Sequence, residues 1–214
     1  MSKPEITIID YGLGNLLSVA RGLEHVGAKV RFSSDPRVIS QASKLVLPGV
    51  GAFPKAMQAL NKLDLIKVLQ DLRSSTKPVL AICLGMQLLL DESDEFELTS
   101  GLGLIPGRVI QVPRKSIIGA PQKIPHIGWS ALNSSNNNTW RDTVLENNKV
   151  GDAVYFVHSF MAQPSNTNDL LATVSYGGKE VPAVIYKNNI YGCQFHPEKS
   201  GKVGLQILDK FKNL

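Results

Sequence analysis

The feature that most constrains this chain is an alternation over its first eighty residues. Short β-branched runs trade places with amphipathic stretches: EITIID, LLSVARGLEHVG, KVRFS, KLVLPG, a long stretch from Phe53 to Ser75, and KPVLAI. Strands and helices in strict alternation predict parallel βαβ units, a sheet with helices on both faces. Within Phe53–Ser75 the residues Met57, Leu60, Leu63, Leu65, Ile66, Leu69 and Leu72 recur near three- and four-residue spacing, which predicts one long helix with one buried face. After Leu102 the pattern becomes short strands separated by turns: RVIQVP, KIPHIGW, AVYFVHSF, LLATVSY, PAVIY and IYGCQF. These read as hairpins or an antiparallel extension completing the same sheet, with 134–138 (SSNNN) as a polar surface loop and a closing helix from about Gly201 to Asn213. At 214 residues, with no repeat and no low-complexity linker, the expectation is a single domain over 1–214.

Charge and composition mainly exclude. The net charge of +5 comes from scattered lysines, so a nucleic-acid-binding arm is not expected. No apolar run is long enough to span a bilayer, and MSKPEITIIDYG has no apolar leader region, so the expected location is the cytoplasm. Of the two cysteines, Cys193 sits three residues before His196, giving two ligands with no second pair to complete a tetrahedral site. A disulfide framework, a metal and a cofactor are all unexpected.

Two segments carry chemistry. In KPVLAICLGMQLLLDE an apolar strand ends at Ile82, Cys83 follows, and a helix begins at once. A nucleophile on such a turn needs small neighbours, here Ala81 and Gly85, and the helix N-terminus beyond it favours the thiolate. On this segment alone a buried structural cysteine remains equally open. In YGCQFHPEKS a strand delivers its last apolar residue at Phe195, and Pro197 stops it. His196 and Glu198 lie two apart, which in an extended chain puts both side chains on one side, a carboxylate orienting an imidazole that faces a thiol. A cysteine turn and a His-x-Glu, both at strand ends, tip the reading toward a Cys-His-Glu triad. LVLPGVGAF adds a third strand end whose backbone N–H groups suit an oxyanion.

PGVG, AICLGMQLL and FHPEK together resemble the triad (class I) glutamine amidotransferases, nearly end to end. More narrowly, IIDYGLGNLLSV, GLGLIPG, PHIGW and YFVHSF are similar to the glutaminase subunits of imidazole glycerol phosphate synthases, from histidine biosynthesis. The resemblance implies a flavodoxin-like α/β domain in which Cys83 attacks the side-chain amide of glutamine, His196 moves protons and Glu198 orients it. It implies backbone oxyanion donors at Val50 and Leu84, glutamine recognition by Gly51, Gln87, Glu95, Ser159 and Phe160, and a (β/α)₈ cyclase partner in a heterodimer, faced by Asn15, Trp129, Tyr155 and Lys199. That cyclase would use the ammonia to make imidazole glycerol phosphate and an aminoimidazole carboxamide ribotide.

Two positions depart from the pattern: Ser130 stands where Asn usual follows Gly-Trp, and Phe160 where Tyr is common. Val50 is a third point of interest, since related loops often carry Gly there. A β-branched residue resists positive φ, so the free chain is expected to rest with this donor turned away. The competing readings are a paralogous glutaminase feeding a surface-polysaccharide sugar synthase and a catalytically silent regulatory subunit; intact Cys83, His196 and Glu198 argue against the latter.

Overall fold

A computed structural model describes residues 4–135 and 139–214. The first half forms β1 (Glu5–Ile9), α1 (Leu16–His25), β2 (Lys29–Ser33), α2 (Pro36–Gln41), β3 (Leu45–Gly49), α3 (Phe53–Lys62), α4 (Leu65–Gln70), β4 (Val79–Cys83) and α5 (Leu84–Leu88). The second half is strand-rich: β5 (Glu92–Ser93), β6 (Thr99–Ser100), β7 (Gly107–Gln111), β8 (His126–Ala131), β9 (Asn133–Ser134), β10 (Ala153–His158), β11 (Phe160–Pro164), β12 (Leu170–Tyr176), β13 (Lys179–Lys187), β14 (Ile190–Cys193), then α6 (Gly201–Asn213).

Eight strands make the central sheet in the order β2-β1-β3-β4-β14-β13-β12-β9. The run β2-β1-β3-β4-β14 is parallel throughout, and β13, β12 and β9 extend it antiparallel. The parallel portion has the 2-1-3-4-5 order of flavodoxin-like doubly wound folds, in which ligands bind beyond the carboxyl ends of the strands.

Period-two alternation divides the core. Ile6, Ile8, Val46, Leu80 and Ile82 face α1 and α6, where Val19, Leu23, Ile207, Leu208 and Phe211 meet them. Ile9, Leu45, Leu47, Val79 and Ala81 face the other way, onto Phe53, Leu60, Leu65, Leu69 and Met86. Strands buried on both faces read as continuous apolar runs, which is why KLVLPG and KPVLAI show no polar alternation.

The structure corrects the sequence reading in three places. The stretch from Phe53 to Ser75 is not one helix: α3 stops at Lys62, Asp64 adopts the left-handed region at φ 55°, α4 begins at Leu65, and residues 71–74 are a 3₁₀ turn. Leu63 and Leu65 are two apart, so no straight helix can bury both, and a short Asp side chain tolerates the left-handed break between them. The second half does not all join one sheet. β7 and β11 pair in a separate four-stranded sheet with β5 and β6, and β8 and β10 form a two-stranded ribbon of their own. Finally, Ser134 closes an edge strand and Ser135 is buried with its Oγ donating to the Leu170 carbonyl, so neither belongs to a surface loop; Asn136, Asn137 and Asn138 lie outside the described residues.

Two glycines let β3 and α5 touch. A Cβ on Gly85 would lie 1.9 Å from the Leu47 carbonyl oxygen, and one on Gly49 would lie 2.5 Å from the Tyr11 hydroxyl and 2.9 Å from the Gly85 nitrogen. We expect Gly85→Ala to destabilise the protein by at least about 3 kcal/mol, because backbone, unlike a side chain, cannot swing aside. Urea unfolding with an unchanged midpoint would show the approach to be looser than described.

Candidate active site

β4 ends on Cys83, whose backbone (φ 55°, ψ −111°) is strained for a residue with a Cβ. The strain is held in place by the strand before it, buried along its whole length, and by α5 starting at the next residue. The turn thrusts the Cys83 thiol out past the sheet, and Gly49, its register partner on β3, ends beside it. The sequence reading gave the helix N-terminus a role in favouring the thiolate. With only five residues, α5 carries a small dipole. What it supplies is the Leu84 N–H, which as the first helical donor has no acceptor within the helix.

His196 arrives from β14, which stops at Cys193, two residues short of Phe195; Gln194 still donates its backbone N–H to Ala183 at 2.9 Å. The chain then enters a 3₁₀ turn over Pro197–Lys199 rather than continuing extended. The juxtaposition of His196 and Glu198 therefore comes from a tight turn, not from strand alternation. Nδ1 of His196 and Oε1 of Glu198 are 2.8 Å apart, with the two side chains 4% and 0% exposed. The turn is fixed to the neighbouring ribbon: His196 N–H donates to the Tyr155 carbonyl at 3.0 Å, and Ser200 Oγ accepts from Tyr155 N–H while donating to the His196 carbonyl.

Burial opposes protonation of His196, yet the adjacent Cys83 and Glu198 outweigh it and lift the imidazole pKa to about 9. At neutral pH the ring is an imidazolium, held at Nδ1 by a carboxylate. Nε2 is buried without a hydrogen-bond partner, as is the second carboxylate oxygen of Glu198. Tyr11, behind the cysteine, donates to the Pro48 carbonyl at 2.8 Å; burial and the neighbouring Cys83 push its hydroxyl pKa upward.

Cys83 and His196 open into one cavity of about 360 Å³, a volume suited to a single small molecule. All the residues expected to recognise glutamine line it: Gly51, Gln87, Glu95, Ser159 and Phe160. Both expected oxyanion donors, Val50 and Leu84, line it too. Gln87 donates through Nε2 to the Phe160 carbonyl at 2.9 Å, and Glu95 accepts from Phe53 N–H at 2.8 Å, which locks the carboxylate against the start of α3. Val50 is 40% exposed and is not among the positive-φ residues, whereas Gly51 has φ 104°.

His158, Pro125 and Val157 also line the cavity and were not singled out from sequence. The alternation in AVYFVH held the signal for His158, which falls on the same buried face as Val154 and Phe156. A larger hollow of about 760 Å³ is walled by Met57, Ile66 and Phe96; no cysteine or histidine lines it.

The four residues expected to face a partner lie outside the cavity. Asn15 and Lys199 are exposed, Tyr155 is half-buried, and Trp129, 57% exposed, packs edge-on against Tyr155 at 6.0 Å between ring centres. Ser130 follows on the same strand. Cys193 is fully buried, and burial together with Glu198 pushes its thiol pKa up. Among the described residues no group of three or more His, Cys, Asp or Glu could hold a metal ion.

Comparison with known proteins bears on this geometry. The family model described as glutamine amidotransferase class-I matches residues 7–213. The chain is 50% identical over 207 residues to the imidazole glycerol phosphate synthase subunit HisH 1 of Legionella pneumophila (strain Lens), covering 96% of this chain and 97% of that one. It is 46% identical over 209 residues to the HisH subunit of Bacillus cereus (strain AH187), covering 98% and 94%. Among solved structures it is similar to PurLQS from Thermotoga maritima, with a TM-score of 0.74 at 18% identity over 99% of each chain, a likeness of fold.

The two thiols differ in access as well as charge environment. We expect iodoacetamide to modify Cys83 at least about tenfold faster than Cys193 in the folded protein. Peptide mass spectrometry showing equal labelling would remove the distinction.

Proposed function

This chain belongs to the class-I glutamine amidotransferase family and is the glutaminase subunit of an imidazole glycerol phosphate synthase, and on that premise we propose that Cys83, His196 and Glu198 are its triad. One observation carries the assignment: a strained cysteine and a carboxylate-held imidazole, delivered by different strands, open into the same small cavity.

The geometry supports the following sequence. Cys83 Sγ attacks the side-chain amide carbon of glutamine, and the C–N bond breaks as His196 Nε2 gives its proton to the departing nitrogen, releasing ammonia and leaving a glutamyl thioester. Neutral His196 then takes a proton from water, the resulting hydroxide attacks the thioester, and glutamate leaves as the thiolate–imidazolium pair is restored. Glu198 holds Nδ1 throughout and exchanges no proton with substrate. Leu84 N–H faces the oxyanion, and Val50 N–H joins it once its peptide turns. Gly51, Gln87, Glu95, Ser159 and Phe160 bind the glutamine.

The partner in this reading is a (β/α)₈ cyclase in a heterodimer, working in the cytoplasm. It takes up the ammonia and releases imidazole glycerol phosphate and aminoimidazole carboxamide ribotide. Its docking face is the outer side of the β8–β10 ribbon, where Ile127, Trp129 and Val157 are exposed apolar groups, together with the exposed Lys199 and Asn15. This face reaches the cavity at Val157 and is tied to His196 through the Tyr155 backbone. No helix among the described residues is long and apolar enough to cross a membrane.

Two measurements test the reading. Cys83→Ala in the heterodimer should abolish glutamine-dependent synthesis and leave ammonia-dependent synthesis intact; residual glutamine turnover would remove Cys83 as nucleophile, and stimulation by a sugar synthase in place of the cyclase would redirect the partner. The second concerns Val50, whose N–H must reorient. A misdirected oxyanion donor costs about 10²- to 10³-fold in rate. The isolated chain should therefore be nearly silent, and Val50→Gly should raise its basal hydrolysis while shrinking the stimulation by cyclase and nucleotide. A fully active isolated wild-type chain, or a glycine variant with unchanged basal rate and stimulation, contradicts this.

A further inference from the structure

Six hydrogen bonds form one unbroken chain between the partner-facing ribbon and the candidate nucleophile. Ser130 Oγ meets His126 Nε2 at 3.0 Å, His126 Nδ1 meets His158 Nε2 at 3.1 Å, and His158 Nδ1 meets the Phe160 carbonyl at 2.8 Å. From that same carbonyl the chain continues through Gln87 Nε2 at 2.9 Å, which also reaches Gln194 Oε1 at 3.1 Å, and Gln194 Nε2 lies 3.9 Å from Cys83 Sγ. His126, His158 and Gln194 are 2%, 5% and 0% exposed, and the triad uses none of them.

The directions of the two bonds to the carbonyl in the middle follow from its chemistry, since it can only accept. His158 must therefore carry its proton on Nδ1, and Gln87 must turn its NH₂ inward. Burial pushes the His158 pKa down to about 4, against the pull of the Phe160 carbonyl, and burial lowers that of His126 too, so both rings are neutral. Neutral His158 has a lone pair at Nε2, so His126 donates from Nδ1 and accepts at Nε2 from the Ser130 hydroxyl. His126 is clamped between Phe156 and Tyr176, stacked at 4.9 and 4.1 Å, which fixes its plane. On the other side, both amide hydrogens of Gln87 are spent, on Phe160 and on Gln194. Gln194 must then present its oxygen to Gln87 and its NH₂ to the sulfur. The one polar atom Gln87 has left for a ligand is Oε1, an acceptor.

We propose that His126 and His158 are positioning residues and Gln194 a donor to the Cys83 sulfur, joined in one directed hydrogen-bond chain that holds the glutamine-binding wall and the nucleophile in register with the partner-facing strand. The chain rests on the reading of Cys83 as nucleophile and adds to it. Gln194 stabilises negative sulfur with a fixed amide N–H, sharing that task with the His196 imidazolium; Tyr11, the other titratable group facing the sulfur, spends its proton on Pro48. His158 fixes the Phe160 carbonyl and, through it, Gln87. Ser130 makes strand β8 the input end.

The test uses the heterodimer at saturating cyclase, with wild type, Gln194→Met, His158→Phe and Ser130→Ala, each checked for cooperative unfolding. Gln194→Met keeps length and loses the donor: alkylation of Cys83 by iodoacetamide at neutral pH should fall about tenfold and kcat by about 10²-fold. His158→Phe removes the bond to Phe160 far from the sulfur: KM for glutamine should rise about tenfold, with the alkylation rate within about twofold of wild type. Ser130→Ala, half-exposed and able to fold whatever the buried variants do, should raise KM about three- to fivefold, the worth of one neutral hydrogen bond. Wild-type alkylation in Gln194→Met, wild-type KM in His158→Phe, or wild-type KM in Ser130→Ala overturns the proposal. Cys83→Ala decides the underlying assignment separately, since hydrolysis surviving there would fell the nucleophile while these three arms leave it standing.

Discussion

The contact on which the rest of the site depends is the van der Waals approach of β3 to α5, made where Gly85 faces the Leu47 backbone and Gly49 faces the Gly85 nitrogen. Because Gly85 can lie against the Leu47 carbonyl, α5 begins immediately after the strand, with no loop to absorb the change of direction. The change is concentrated in one residue, Cys83, whose unfavourable backbone is compensated by apolar burial of β4 on both faces. The same approach brings Gly49 and the loop after it level with the thiol, so the backbone groups expected to meet an oxyanion and the proposed nucleophile are set by one packing event.

Much of this was legible in the sequence, and the reasons are specific. The parallel half was readable because strands buried on both faces leave unbroken apolar runs, and the glycine at 85 marked the sharp turn after Cys83. The break at Asp64 was legible only as a defect in spacing between Leu63 and Leu65, a signal easily overridden by the helical period on either side. The pairing of His196 with Glu198 was anticipated on the wrong geometry, because Pro197 starts a 3₁₀ turn as readily as it ends a strand. The partition of the second half into three sheets left no local mark, since strand pairing is decided by partners far along the chain.

The pieces of the site that sequence did not single out share a cause. His126 and His158 sit at alternating inward positions of strands, where a histidine looks like any core residue until its hydrogen-bond partners are known. Gln194 sits between two more eloquent neighbours, Cys193 and His196, and its significance lies in the orientation of one amide. Donor direction is a property of the assembled network, anchored here at a carbonyl that can only accept.

The two-stranded ribbon divides the site between sheets. β8 and β10 hydrogen-bond to each other and share no backbone ladder with the eight-stranded sheet or with the four-stranded one. The Cys83 turn thus belongs to the eight-stranded sheet, while the wall carrying His158 and the backbone anchor of His196 belong to a separate two-stranded one. The two parts of the site therefore meet across a seam between sheets, joined by individual hydrogen bonds and packing rather than by a continuous backbone ladder.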